Sequence, residues 1–328
     1  MTNNKESANT IRKKNIFTSF TKRSEFAIII VTIIFGAIVQ IINPVFLSYA
    51  NIMNTLRSAG FMLIIALGMN MVMISGGIDL SVGSVFGLGG VIVGECLVSG
   101  MPIWSSMLLG VGVGVLCGFI NGLLISKFRI APLMITLGMY YSARGMVYIL
   151  TKGTPVFPLG DAFQQLESSN FLIVPNIIII AAIFAVIFYF IMNRTTYGRS
   201  IYAIGGNIET AKVAGINTEM VTLSVYTILG ALAAFSGVFT AARLGSAQVS
   251  AGTGYELQVI AAVVIGGTSP SGGKGNIVGT IIGVLFLKIL SSSMTIMRVS
   301  AYWQDFTIGA VLVVAVLIDS IKQRNSKS

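Results

Sequence analysis

Long apolar runs recur along almost the whole chain and restrict its fold more than any other feature. We place ten spans at 26–43, 58–75, 81–99, 104–125, 131–150, 173–192, 221–241, 256–267, 276–293 and 302–320. Helical runs of about 20 apolar residues match the hydrocarbon thickness of a bilayer. Only 10% of the residues are charged, and no segment is polar and long enough for a separate soluble domain. The sequence predicts an all-α integral membrane protein with about ten transmembrane helices.

The distribution of basic residues predicts the orientation. If the N-terminus is cytoplasmic, fifteen Lys and Arg residues lie on the inner side and four on the outer side. Cytoplasmic loops of membrane proteins carry such an excess, so both termini are predicted in the cytoplasm. This position accounts for the net charge of +10 without a nucleic-acid partner. We expect a basic tail over 1–25, a transmembrane domain over 26–320 and a tail over 321–328.

The start of the chain resembles a secretory signal, because basic residues precede an apolar run. That run reaches about 18 residues, beyond a signal peptide's usual apolar region, and no small-residue cleavage site follows it. We interpret it as a retained first span.

The residue types present exclude several kinds of chemistry. The chain contains no histidine, which excludes histidine-based catalysis, metal ligation and proton relays. Cys96 and Cys117 fall within predicted spans and indicate no disulfide framework. The segment 271–275 resembles a phosphate-binding loop but lacks the required Gly and Ser/Thr positions. We therefore predict no cofactor, no metal and no catalytic site.

Two segments, 74–84 and 265–276, interrupt the apolar pattern with glycines and hydroxyls. Irregular backbone at membrane depth requires burial in protein or a polar cavity, and paired breaks in two halves point to a transport pathway. The halves, spans 2–5 and 7–10, enter from opposite sides, which is compatible with an inverted repeat. The predicted pathway residues are Asn70, Asp79, Ser81, Ser84, Thr268 and Ser269. Alternatively, these groups only satisfy the broken backbone, with Asp79 capping the helix that begins near Leu80.

A polar segment over 193–220 contains residues that typically begin and end helices. Asn207 can cap a helix, Glu209 would lie in its first turn, and Gly215 can end it in a left-handed conformation. A helix from 208 to 214 is too short to be stable alone, so we expect it to dock. Small side chains at Ala211 and Ala214 allow another surface to approach closely.

Four ordered motifs identify a family: Gly76–Ser84, Gly198–Asn207 with Ala214–Asn217, Ser246–Leu257, and Ile260–Ser269. Over essentially its whole length the chain resembles the permease subunits of bacterial ABC importers for simple sugars, those for ribose most closely. The resemblance departs from the usual pattern at Pro270 and over 291–296, which leaves the sugar open.

This resemblance implies a location in the bacterial inner membrane and a pair of permease subunits, expected as a homodimer. A soluble extracytoplasmic binding protein would deliver a monosaccharide, and a separate ATPase subunit would hydrolyse ATP at the cytoplasmic face. The helix over 208–215 would be the coupling helix on which the ATPase docks. The residues expected at that contact are Gly205, Gly206, Asn207, Glu209, Ala211, Ala214 and Gly215.

Two other functions compete with this interpretation. A secondary transporter or channel would normally carry acids or histidines arranged as a relay, and an intramembrane enzyme would need a nucleophile with a base. A self-powered carrier has no need of the long docking segment, so that segment favours the importer.

Overall fold

The computed structural model describes residues 24–168, 170, 171 and 174–327. Most of the predicted basic tail over 1–25 therefore lies outside the described residues. The helices are α1 (Ser24–Ile42), α2 (Tyr49–Ile74), α3 (Val82–Val98), α4 (Ile103–Phe128), α5 (Pro132–Thr151), α6 (Asp161–Ser168), α7 (Asn176–Arg194), α8 (Thr196–Gly206), α9 (Ile208–Val213), α10 (Thr218–Leu244), α11 (Tyr255–Ile265), α12 (Ile277–Ile296) and α13 (Ala301–Lys327). A 3₁₀ turn, Pro44–Leu47, follows α1, and β1 (Asn170–Phe171) pairs antiparallel with β2 (Val174–Pro175).

The predicted all-α fold is confirmed, and each predicted span contains one helix. Five of the described helices are long and apolar enough to cross a membrane on length and composition. The number of ten spans and the inverted repeat stay predictions.

Several helix ends differ from the prediction. Helix α2 begins at Tyr49 and not near 58, because the polar residues that suggested a loop continue the helix. Ser48 caps it by accepting a hydrogen bond from the Asn51 N–H at 3.4 Å. Helix α13 continues through Lys327, into the predicted C-terminal tail. The segment 193–220 contains two helices, α8 and α9, where one was predicted.

Glycines bring α4 and α10 into close contact. Gly110, Gly114, Gly118 and Gly122 recur every fourth residue along one face of α4. A Cβ atom at Gly114 would overlap the Gly230 carbonyl oxygen. Small residues at this spacing let helices approach closely in a membrane, so these glycines account for the close packing of α4 against α10.

Helix α11 is only eleven residues long. At 1.5 Å per residue it covers about 16 Å, half of a hydrocarbon core of about 30 Å. Irregular backbone connects the end of α10 to its first residue, Tyr255. The second half of the fold therefore contains a stretch of non-helical chain that reaches membrane depth.

Candidate functional site

Helices α8 and α9 form a continuous pair whose ends are fixed by side-chain caps. The Thr195 hydroxyl accepts a hydrogen bond from the Gly198 N–H at 3.2 Å and starts α8. Asn207 ends α8 and starts α9, where its side-chain oxygen accepts from the Thr210 N–H at 2.9 Å. The predicted capping role of Asn207 is confirmed.

Helix α9 ends in a Schellman motif, as its sequence suggested. Gly215 has a φ of +82°, a left-handed conformation that glycine adopts at little cost. The Gly215 N–H donates to the Lys212 carbonyl at 2.9 Å, and the Ile216 N–H donates to the Ala211 carbonyl at 3.1 Å. These two bonds satisfy carbonyls that a helix end otherwise leaves free, so they fix the direction in which α9 ends.

The side chains of α9 divide into an inward and an outward set. Ala211 is 2% exposed and contacts its own chain, whereas Val213 is 90% exposed. Ala214 and Gly215 are exposed beside it. An exposed valine on a short connector offers an apolar contact to another protein. The surface available to a partner therefore consists of Val213, Ala214 and Gly215. Ala211 faces inward and packs against its own chain.

Glu209 is also exposed, and its carboxylate accepts a hydrogen bond from the Lys212 ammonium at 2.9 Å. The hydrogen bond and the positive charge of Lys212 hold the pKa of Glu209 below its usual value. Glu209 and Lys212 lie one helical turn apart on α9. They place a negative and a positive charge beside the exposed Val213.

The inward end of α8 meets both broken segments at one point. A Cβ atom at Gly205 would overlap the Ile74 carbonyl oxygen, and it would lie 2.6 Å from the Gly273 nitrogen. The Gly273 N–H donates to that same Ile74 carbonyl at 2.9 Å. The Tyr202 hydroxyl donates to the Gly275 carbonyl at 2.7 Å. We call this contact among Gly205, Ile74 and Gly273 the glycine junction; sequence reasoning did not find it.

The first broken segment is stabilised by Asp79. Its carboxylate accepts hydrogen bonds from the Ser81 N–H at 2.7 Å and the Ser81 hydroxyl at 2.6 Å. Asn121 of α4 donates to Asp79 at 3.3 Å and to Ser81 at 3.1 Å. Asp79 and Ser81 are each 2% exposed. These bonds give Asp79 the role of satisfying backbone before α3, the alternative left open by the sequence.

The second broken segment is bound to α2 through Asn70. Its amide donates to the Thr268 hydroxyl at 2.7 Å and to the Thr280 hydroxyl at 2.9 Å. The Ser269 N–H donates to the Lys274 carbonyl at 2.9 Å and closes the turn. The buried members of this network, each at most 2% exposed, are Asn70, Thr268, Ser269 and Thr280. The network therefore ties the two halves of the chain together.

Ser84, the remaining predicted pathway residue, is fully buried in α3, and its hydroxyl has no hydrogen-bond partner among the described residues. The structure thus gathers the six predicted pathway residues into two buried clusters and one isolated hydroxyl. A contact with a transported solute stays a prediction for each of them.

Arg144 of α5 stabilises the irregular segment before α11. Its guanidinium donates to the carbonyls of Val249 at 3.0 Å and Ala251 at 2.9 Å, and to that of Gly83 at 3.4 Å. Buried carbonyls at membrane depth require such donors. The sequence marks Arg144 as an unusual charge within a span, but only the fold shows its partners, of which Val249 and Ala251 lie more than a hundred residues away and Gly83 lies 61 residues away.

A cavity of about 320 Å³ lies beside α9. Its wall combines the ends of α2 and α4 with the start of α10, and it includes Gly76, Arg129, Glu209, Lys212, Glu219 and Tyr226. The inward side of α9 is thus not packed against these helix ends along its whole length.

Comparison with known proteins agrees with this architecture. Residues 51–316 match the family described as the permease component of the branched-chain amino acid transport system. The ribose import permease protein of Bacillus subtilis (strain 168) is 42% identical over 287 residues, covering 87% of this chain and 89% of the relative. No solved structure matches the chain.

Two Escherichia coli (strain K12) proteins extend the comparison. The ribose import permease protein is 36% identical over 299 residues, covering 90% of this chain and 93% of the relative. The galactose/methyl galactoside import permease protein is 34% identical over 334 residues, covering 96% of this chain and 98% of the relative.

The helical membrane fold and these matches define the class of protein: the non-catalytic, multi-pass permease subunit of an ABC-type sugar importer in the inner membrane. More particularly, the chain belongs to the permease family that contains the ribose and galactose import permeases. Membership of this family implies an ATPase and a binding protein as partners.

Proposed function

We propose that two copies of this chain form the pathway by which a monosaccharide, namely ribose or a similar pentose, hexose or polyol, enters the cell. The names of the relatives support the sugar class. The proposed partners are a cytoplasmic ATPase subunit, a second copy of the permease, and an extracytoplasmic binding protein that delivers the sugar.

The observation that carries the coupling proposal is the position of α9. Its tip, Val213, is 90% exposed, while α8 ends on the glycine junction, where both broken segments meet. An ATPase bound at Val213, Ala214 and Gly215 would push on α9. The cavity beside α9 leaves room for that movement, and the junction transmits it to the ends of α2 and α12. Gly205, Gly206, Asn207, Glu209 and Ala211 then support the contact from within the segment 193–220.

The proposed orientation places both termini and 193–220 in the cytoplasm and 151–170 outside. It rests on the fifteen-to-four distribution of basic residues. We propose the transmembrane domain over 26–320, with the coupling segment 193–220 inside it. Helices α8 and α9 then face the compartment that contains ATP.

The proposed contacts of the sugar within the pathway are Asn70, Asp79, Ser81, Ser84, Thr268 and Ser269. Their burial and hydrogen bonds favour a structural role in this conformation. A sugar would reach them only when the two broken segments separate. A pathway for a neutral sugar needs weakly binding polar groups, which these residues can supply in such a state.

Reconstitution tests the proposed function. Vesicles containing the chain and its ATPase should take up ribose or another monosaccharide only when ATP and the binding protein are both present. A secondary transporter would instead lose uptake on addition of an ionophore and would not require ATP. Uptake that is independent of ATP and abolished by an ionophore would overturn the proposal.

A further inference from the structure

One face at the start of α2 is polar although the helix is otherwise apolar. Asn51, Asn54, Thr55 and Ser58 occupy positions i, i+3, i+4 and i+7, which lie on one side of a helix. Asn54 is exposed and the other three are partly exposed. A polar stripe with this spacing would be unfavourable against lipid.

A matching stripe lies at the end of α12. Lys288, Ser291, Ser292 and Thr295 repeat the same spacing. The Thr55 hydroxyl donates to the Ser292 hydroxyl at 2.9 Å, and the Ser292 hydroxyl donates to the Asn51 side-chain oxygen at 3.0 Å. The two stripes therefore face each other and enclose a groove of about 300 Å³. That volume falls at the lower end of the range for small-molecule sites, about 300–1,000 Å³.

Lys288 lies at the deep end of this groove. It comes eleven residues after the first residue of α12, about 16 Å along the helix axis and thus close to the middle of a bilayer. Its ammonium lies 3.4 Å from the Gln258 side-chain oxygen and 5.1 Å from the centre of the Tyr255 ring. Both partners belong to the start of the short helix α11. Lys288 therefore connects the groove to the start of α11.

The side chains that line the groove favour one class of ligand. It consists of hydroxyls, amides and one ammonium, and no carboxylate lines it among the described residues. Hydroxyl and amide groups both donate and accept hydrogen bonds, as the hydroxyls of a sugar do. The ammonium donates to hydroxyl oxygens and repels cations. A neutral polyhydroxylated solute fits this wall better than an ion or an apolar molecule.

The groove and the glycine junction lie at opposite ends of the same two helices, α2 and α12. Ile74, at the other end of α2, belongs to the glycine junction, and α12 starts two residues after Gly275, whose carbonyl accepts the hydrogen bond from Tyr202. Both polar stripes occupy the opposite ends of these same helices. The groove thus opens on the side away from α9.

We propose that this groove, formed by the two polar stripes of α2 and α12, is a sugar-binding surface on the delivery side of the pathway. The inference rests on the proposed function, and it assigns the substrate contact to residues that differ from the six predicted from sequence. Lys288, Thr55 and Ser292 are the specificity-determining groups of this surface.

Thiol labelling tests whether the groove holds water and sugar. In the complete transporter complex with Cys96 and Cys117 replaced by alanine, Ser291→Cys should react with a charged, membrane-impermeant thiol reagent. Val186→Cys, on an exposed face of α7 (70% exposed), should not react because it faces lipid. Ribose or galactose at saturating concentration should slow labelling at Ser291→Cys about threefold or more. An unreactive Ser291→Cys, or labelling that no sugar slows, would overturn the inference.

Substitution of the groove's hydroxyl residues provides a second test of the inference. Thr55→Val and Ser292→Ala should each reduce uptake about threefold to tenfold, the effect of one lost hydrogen bond, and should weaken the protection of Ser291→Cys by sugar. Thr307→Val on α13 removes a comparable hydroxyl outside the groove, where it donates to the Trp303 carbonyl at 2.7 Å, and should leave uptake unchanged. Normal uptake by the Thr55 and Ser292 variants would refute the groove alone. Failure of the unmodified complex to import any monosaccharide would refute the proposed function instead.

Discussion

Gly205 lies so close to Ile74 that a methyl group at position 205 would overlap the Ile74 carbonyl oxygen. The two residues belong to different functional parts of the chain, since Gly205 lies near the end of α8, within the segment 193–220 proposed to receive the ATPase, and Ile74 ends a core helix. Contact of this kind transmits displacement because packed backbone has little freedom to deform.

Gly205→Ala should therefore destabilise the protein by about 1–3 kcal/mol, the usual effect of overpacking a buried site. The thermal unfolding temperature of the solubilised protein measures this effect. Gly206→Ala is the matched control, because no atom lies within 4 Å of a Cβ atom at Gly206. Equal unfolding temperatures for the two variants would contradict the glycine junction.

Val213→Asp should disconnect the ATPase without disturbing the membrane fold. Val213 is 90% exposed, so the substitution breaks no internal packing, but it places a charge on the proposed contact. We expect stimulation of ATP hydrolysis by the binding protein to fall about tenfold or more, as for loss of an interface anchor. Val213→Thr, which keeps the size of the side chain and adds no charge, serves as the control. If Val213→Asp retains full stimulation, α9 does not form the contact.

Asn70→Leu should lower stability because it leaves the hydroxyls of Thr268 and Thr280 without their donor. An unsatisfied buried polar group costs about 1–3 kcal/mol. Measurement of thermal stability together with uptake separates the two roles of Asn70. A loss of stability with a proportional loss of uptake would support the structural role. Normal stability with lost uptake would support contact with the sugar.

Arg144→Met should be strongly destabilising, by about 3 kcal/mol or more. The substitution leaves the Val249 and Ala251 carbonyls without their guanidinium donor, and each unsatisfied carbonyl at membrane depth costs free energy. Arg144→Lys should recover part of the loss because an ammonium can still donate to one carbonyl. Lys152→Met, at an exposed position after α5, should unfold at the same temperature as the unmodified protein. A stable Arg144→Met protein would refute this role.

Accessibility from the outside tests the proposed orientation. Asp161→Cys should react with an impermeant thiol reagent added to intact cells, and Glu209→Cys should react only after the cells are permeabilised. Both positions are exposed in the structure, so the difference reports the side of the membrane. The reverse pattern would refute the orientation and, with it, the assignment of α9 to the ATPase.

Local features of the fold could be predicted from sequence because their causes are local. The apolar runs indicated the helices, and Asn207 and Gly215 indicated the ends of α9. Each depends on residues within a few positions of one another. The start of α2 was predicted nine residues too late for the same reason, since polar residues at 51–58 resemble a loop when only their hydropathy is considered.

The class of protein follows from the sequence, because hydropathy, helix caps and ordered motifs each depend on neighbouring residues. Which segments meet follows only from the folded chain. Gly205 contacts Ile74, Arg144 donates to the carbonyl of Val249, and Thr55 donates to Ser292. These partners are separated by more than a hundred residues, and no local preference specifies them. They meet because every helix must bury its polar and glycine-lined faces against another at the same time.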